Sequence, residues 1–144
     1  MEQKDYLLRE IEKIGQMLRM ILERIGRRKE KETTTFADHE QEVTGWLKEE
    51  AGFELEEFMN LQGEQEAQYL KGLKGFNSPN LELLADVLMA LGTDDRGSAG
   101  PDYLYGAKKL YAACEKLERS YSMERQEKMN QLDNLLENNK PSRQ

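Results

Sequence analysis

The stretch HEQEV, residues 39–43, holds the only histidine in the chain and is the first place to look for chemistry. A zinc-protease helix needs a second histidine four residues on, so that both imidazoles face one metal. Val43 stands there instead, and with one histidine and one cysteine in the whole chain a zinc site lacks ligands. His39 is therefore expected in a solvated linker, and neither a metal nor a cofactor is expected. Cys114 is the only thiol. As a nucleophile it would need a neighbouring base to raise its thiolate fraction. It shares an apolar helical face with Ala107, Leu110, Tyr111 and Leu117 instead, so core packing is expected. The glycine-containing runs GLKGFNSP and GTDDRGSAGP lack the Gly-Lys-Ser/Thr ending that sets a lysine on phosphates and a hydroxyl on magnesium. TDDRG also lacks the alternating acids and closing glutamate of a calcium loop. Both runs read as turns. The acid pairs Glu49–Glu50 and Glu56–Glu57 read as helix surface, because an acid/base pair needs unequal burial to separate its pKa values. No catalytic constellation emerges.

The residues best suited to recognition are aromatic. Tyr111 falls on an apolar stripe, whereas Tyr103 and Tyr105 straddle it, so at least one of the two points outward. An exposed tyrosine beside Lys108 and Lys109 suits contact with a peptide or protein partner.

The elements that position these residues are helices. Of the 144 residues, 34% are charged, above the roughly 25% of an ordinary globular domain, and β-branched residues are few. Such a composition favours an all-α chain. Leu7, Ile11, Ile14, Leu18, Ile21 and Ile25 recur at alternating spacings of four and three, which predicts a long amphipathic N-terminal helix over 1–26. Leu8, Met17 and Leu22 widen its stripe and are the expected edge for a partner or a second copy. Gly26 is the expected stop, followed by a charged linker over 27–37. Thr35 or Asp38 is the expected cap of a second helix that buries Val43, Trp46 and Leu47 and ends at Gly52. Short helices follow around Phe58 and Leu70. Ser78 reads as an N-cap and Pro79 as the first residue of a helix ending at Gly92. Two more helices flank a break near 120–122, giving a single helical domain over 1–138 and a disordered tail over 139–144.

Leu81, Leu84, Ala85 and Leu88, followed by Ala107, Tyr111 and Cys114, resemble the helix pair of a tetratricopeptide repeat. The loop between the two helices is longer than that family's turn, Arg119 stands near the place of its closing proline, and no second copy recurs at a fixed period. The DYLLREIE opening and the A–x2–LY pattern at 107–111 also resemble a small bacterial helical family of unknown function. These resemblances imply an array of antiparallel helix pairs and bring no activity with them.

A net charge of −7 argues against nucleic acid, which demands a basic surface. No run approaches the roughly 20 apolar residues of a membrane span, and a cytoplasmic protein without disulfides is expected. Residues 1–31 nevertheless carry nine Lys/Arg against six Asp/Glu. The reading reached is a helical interaction or scaffold module with no catalytic site. The alternatives are a homodimer assembled through the N-terminal helix, an enzyme of unknown class, and membrane-surface binding through Arg9, Lys13, Arg19 and Arg24.

Overall fold

A computed structural model describes residues 2–31, 36–94, 100–119 and 121–138. The described residues form seven helices: α1 Glu2–Lys31, α2 Phe36–Ala51, α3 Leu55–Met59, α4 Glu64–Lys71, α5 Ser78–Asp94, α6 Gly100–Glu118 and α7 Met123–Asn138. No strand occurs among them.

The α1 stripe buries Ile14, Leu18, Ile21 and Ile25 almost completely, inside its own protomer. Ile11 is half-buried, and Leu7, expected on the same stripe, is exposed. The stripe therefore outruns the surface that covers it. Gly26 does not stop the helix, which runs on to Lys31. A helical glycine costs only about 1 kcal/mol, and Gly26 is bridged by the pair Arg27–Glu23 one turn apart. The expected linker over 27–37 thus contracts, since 27–31 belong to α1 and 36–37 to α2. Thr35 lies outside the described residues, and Asp38 lies within α2 rather than at its cap.

His39 is a second correction. It is 5% exposed inside α2, not in a solvated linker. Spacing of four puts His39, Val43 and Leu47 on one face, and that face is buried. The end of α2 follows expectation. Gly52 turns left-handed (φ 72°), its N–H donating to the Lys48 carbonyl at 3.1 Å while the Phe53 N–H donates to Leu47 at 3.0 Å.

The N-cap of α5 is Asn77, not Ser78. Its side-chain oxygen accepts the Asn80 N–H at 3.0 Å, and its carbonyl accepts the Leu81 N–H at 2.9 Å. The Ser78 hydroxyl is occupied elsewhere, donating to Glu118. Gly92 is buried and the helix continues past it to Asp94. Gly100 and Pro101 likewise belong to α6, so both ends of the expected 92–101 turn are helical, and its residues 95–99 lie outside the described residues.

Asn80 is 4% exposed and ties three segments together, donating to the carbonyls of Ile11 at 2.9 Å and Gly75 at 2.7 Å. Gly75 is required twice over. Its φ is 81°, and a Cβ there would lie 2.7 Å from both the Glu10 carbonyl and the Ile14 side chain. Residues 10–15 of α1 thus meet the first turn of α5, and the buried residues after Ile14 run along α5 in the same direction. α6 runs back antiparallel: Cys114 lies against Ser78, Tyr111 against Asp86, and Gly106 against Leu88. α7 returns along α6, pairing Arg125 with Glu118 and, further on, Asp133 with Lys108.

Candidate functional site

A cleft of about 980 Å³ opens between α2, α3 and the start of α6. Leu47, Phe53, Leu88 and Tyr103 line it, with Leu55 and Met59 contributed from α3. Gly106 allows this arrangement, because a Cβ there would fall 2.7 Å from Leu55 and 3.1 Å from Leu88. α3 is held in place by an aromatic cluster in which the Phe53 and Phe58 rings lie 5.5 Å apart and Tyr69 stands 6.2 Å from Phe53. The Tyr69 hydroxyl accepts the Glu54 N–H at 2.9 Å, and burial holds its pKa above the ordinary value. Gly45 opens the α2 wall: nothing lies within 4 Å of where its Cβ would stand. Polar groups also line the cleft, among them Gln41, Thr44, Asn60 and the pair Lys48–Glu54 at 3.3 Å. Glu56 and Asp102 line it as well and form no ion pair among the described residues.

The expected contact residues divide between the two ends of the bundle. Tyr103 is buried in the cleft and its hydroxyl donates to Glu40. Tyr105, two residues on, is the one that points outward, at 44% exposure. Lys108 pairs with Asp133 at 2.8 Å on the α7 side. Lys109 is turned inward, its ammonium donating to the carbonyls of Phe58 and Leu61, both at 2.9 Å, above the Phe58 ring. It closes the C-terminal end of α3, where a cation complements the exposed carbonyls. Leu8 is exposed near the start of α1, far from Tyr105, whereas Met17 and Leu22 pack partly buried on the core.

A second polar cluster joins α5, α6 and α7, and the sequence reading missed it. Arg125 is 2% exposed. Its Nε and Nη2 donate to Glu82 at 3.0 and 2.8 Å, Nη2 also to Glu118 at 2.7 Å, and Nη1 stands 3.5 Å from Glu115. Lys128 donates to Glu82 at 2.9 Å and to Asp86, which also accepts the Tyr111 hydroxyl. Burial pushes the Glu82 pKa up, but hydrogen bonds from Lys128 and Arg125 outweigh it and leave the carboxyl below its ordinary value. The Ser78 hydroxyl and Arg125 lower that of Glu118. Burial pushes the Cys114 thiol up to about 11, so it stays protonated at neutral pH despite Arg125 nearby. Tyr111 is raised too, by burial and by Asp86. The cluster carries no activated nucleophile. It is a seam that fastens α7. A signal for it existed: acids four apart at Glu82 and Asp86 and bases three apart at Arg125 and Lys128 each line one helix face.

Leu117, expected beside Cys114 in the core, is instead 56% exposed. Among the described residues no group of three or more His, Cys, Asp or Glu side chains is placed to hold a metal ion, and no helix is long and apolar enough to cross a membrane. No protein-family model matches this chain, and neither the comparison with curated proteins nor that with solved structures finds a relative.

Proposed function

We propose that this chain is a helical interaction module whose cleft receives a bulky apolar side chain from a peptide segment that also carries a basic residue. One observation carries the reading: an apolar recess meets two carboxylates, Glu56 and Asp102, that form no ion pair among the described residues. An apolar recess with a few placed polar groups is the general form of a recognition site. The antiparallel α5–α6 pair, with Leu84, Ala85, Leu88, Ala107, Tyr111 and Cys114 all buried between the helices, supports a degenerate tetratricopeptide-like architecture for the module. A cytoplasmic setting suits its single reduced thiol. A homodimer through the core face of α1 has less support, because Ile14, Leu18, Ile21 and Ile25 are already covered within the protomer.

Selection from a displayed random-peptide library tests the reading. Binders are expected to join a large apolar residue to Lys or Arg, and Gly45→Trp, which fills the open wall, is expected to abolish their binding. Failure to enrich any sequence, or binders indifferent to Gly45→Trp, overturns it.

A further inference from the structure

α6 ends at Glu118 and α7 begins at Met123, so the turn that reverses the chain between them is short. It is also strained. Arg119 takes a left-handed conformation (φ 55°), and among the described residues no other side chain apart from glycine does so. The Cβ makes that conformation unfavourable, and arginine lacks the short polar side chain that would offset it. α7 does not rely on this turn for its own start. Ser122 caps it, the hydroxyl accepting the Arg125 N–H at 3.2 Å and the carbonyl the Gln126 N–H at 3.0 Å.

The seam that α7 makes is matched in charge but incompletely bonded. Arg125 and Lys128 face Glu82, Asp86, Glu115 and Glu118, so α5 and α6 present an acidic surface fitted to a helix with two bases three residues apart. Leu132 and Leu136 are buried further along the same helix. Yet Arg125 Nη1 and Glu115 Oε1 are both buried and make no hydrogen bond among the described residues, and Nη1 stands 3.5 Å from the other Glu115 oxygen. A buried group left unbonded costs free energy. A strained turn and an unmade bond at one seam are what a helix drawn back by too short a tether would show.

We propose that α7 is exchanged between two copies of this chain, each α7 lying against the α5–α6 pair of the other. The chemistry of the seam selects a second copy, because its α7 brings the same arginine, lysine and leucines to the same acids and the same apolar surface. What changes is the turn. Arg119 leaves the left-handed region in both chains, and an untethered α7 can shift to bring the guanidinium onto Glu115. Short hinges under strain favour exchange for this reason. Association costs entropy, so high chain concentration favours the pair. Arg125 lies seven residues past Glu118 and must reach Glu118 of the second copy, which brings the two α6 ends close together. The cleft, lined by the start of α6, lies away from that junction, so the pair carries two separate clefts.

Refolding the full chain from denaturant at low and high concentration, followed by size-exclusion chromatography with light scattering, tests this. A dimer is expected at high concentration, separating slowly on dilution because each α7 must first leave its seam. Light and heavy-isotope chains refolded together in equal amounts show whether α7 has crossed over. A zero-length carbodiimide joins Lys108 to Asp133, which stand 2.8 Å apart. In the exchanged dimer about half of these cross-linked peptides are expected to pair a light chain with a heavy one. Arg119→Gly relieves the turn and is expected to raise the dimer's dissociation constant roughly tenfold or more, since strain is lost from two chains. Arg119→Val, whose branched Cβ tolerates the turn less well, is expected to lower it. A chain that stays monomeric however it is refolded, a dimer whose Lys108–Asp133 cross-links are each of one isotope, or a dimer indifferent to both Arg119 changes would each overturn the proposal.

Discussion

The two sides of α6 hold their neighbours by different means. Toward α7, a buried guanidinium is held by carboxylates: Arg125 between Glu82, Glu115 and Glu118. Toward α3, a half-buried ammonium is held mainly by backbone: Lys109 donates to the Phe58 and Leu61 carbonyls, with Glu66 further off at 3.5 Å. Carboxylates titrate and carbonyls do not. One seam is therefore sensitive to acid and the other is largely indifferent to it, although both close over leucine and aromatic side chains.

The largest expected effect breaks the first seam. Arg125→Met leaves three acids facing one another without their shared cation, and removing one partner of a buried ion pair typically costs about 3–5 kcal/mol. Chemical denaturation is the measurement, and a loss near zero would mean that α7 is held by Leu132 and Leu136 alone. Next comes Lys109→Met, which uncaps two carbonyls while keeping much of the stem. Hydrogen bonds to charged groups contribute about 1.5–3 kcal/mol. The cleft beside α3 should loosen with it, so peptide binding should fall together with stability.

Acid sharpens the contrast further. Glu82 and Glu118 have pKa values depressed below the ordinary 4.5 in the folded protein. Their contribution is full above that value and is lost as pH falls from there through the lower folded values. Stability should accordingly drop below about pH 4.5 in the parent, and drop less in Glu82→Gln, which starts from a weaker seam. Equal acid sensitivity in both would mean that the loss arises outside the α7 seam. The smallest effect belongs to Cys114. Its thiol should react slowly with a thiol reagent in the folded protein and rapidly once unfolded. Cys114→Ala should cost about 1 kcal/mol, the ordinary size of a small core deletion. Rapid labelling of the native chain would show that the α5–α6–α7 interface opens.

The sequence carried the helices more clearly than their contacts. Residues 14, 18, 21 and 25 announce a buried face by spacing alone, and so do 84, 88 and 91. Glycine was a poorer guide. Gly52 does end its helix because its φ is positive, but Gly26 and Gly92 are passed through, their modest helical penalty outweighed by packing and local pairing. The composition around His39 suggests a linker, whereas its spacing to Val43 and Leu47 places it on the buried face of α2. The α7 seam depends on charges that meet across 43 or 46 positions of chain, and no local pattern specifies which acid finds which base. The cleft was hidden for a different reason. It is a gap left by Gly45 and by the close approach of α3 at Gly106, and periodicity records where side chains are, not where room remains.

The hydrogen bond from Asn80 to Ile11 spans 69 positions, so the two helices that it joins are made well apart in time. α1 is made before α5, and the helix along which it lies is completed only at Asp94. At roughly 5–20 residues per second, the N-terminal stripe waits several seconds for its cover. During that interval four isoleucine and leucine side chains that end up almost wholly buried are open to any passing surface.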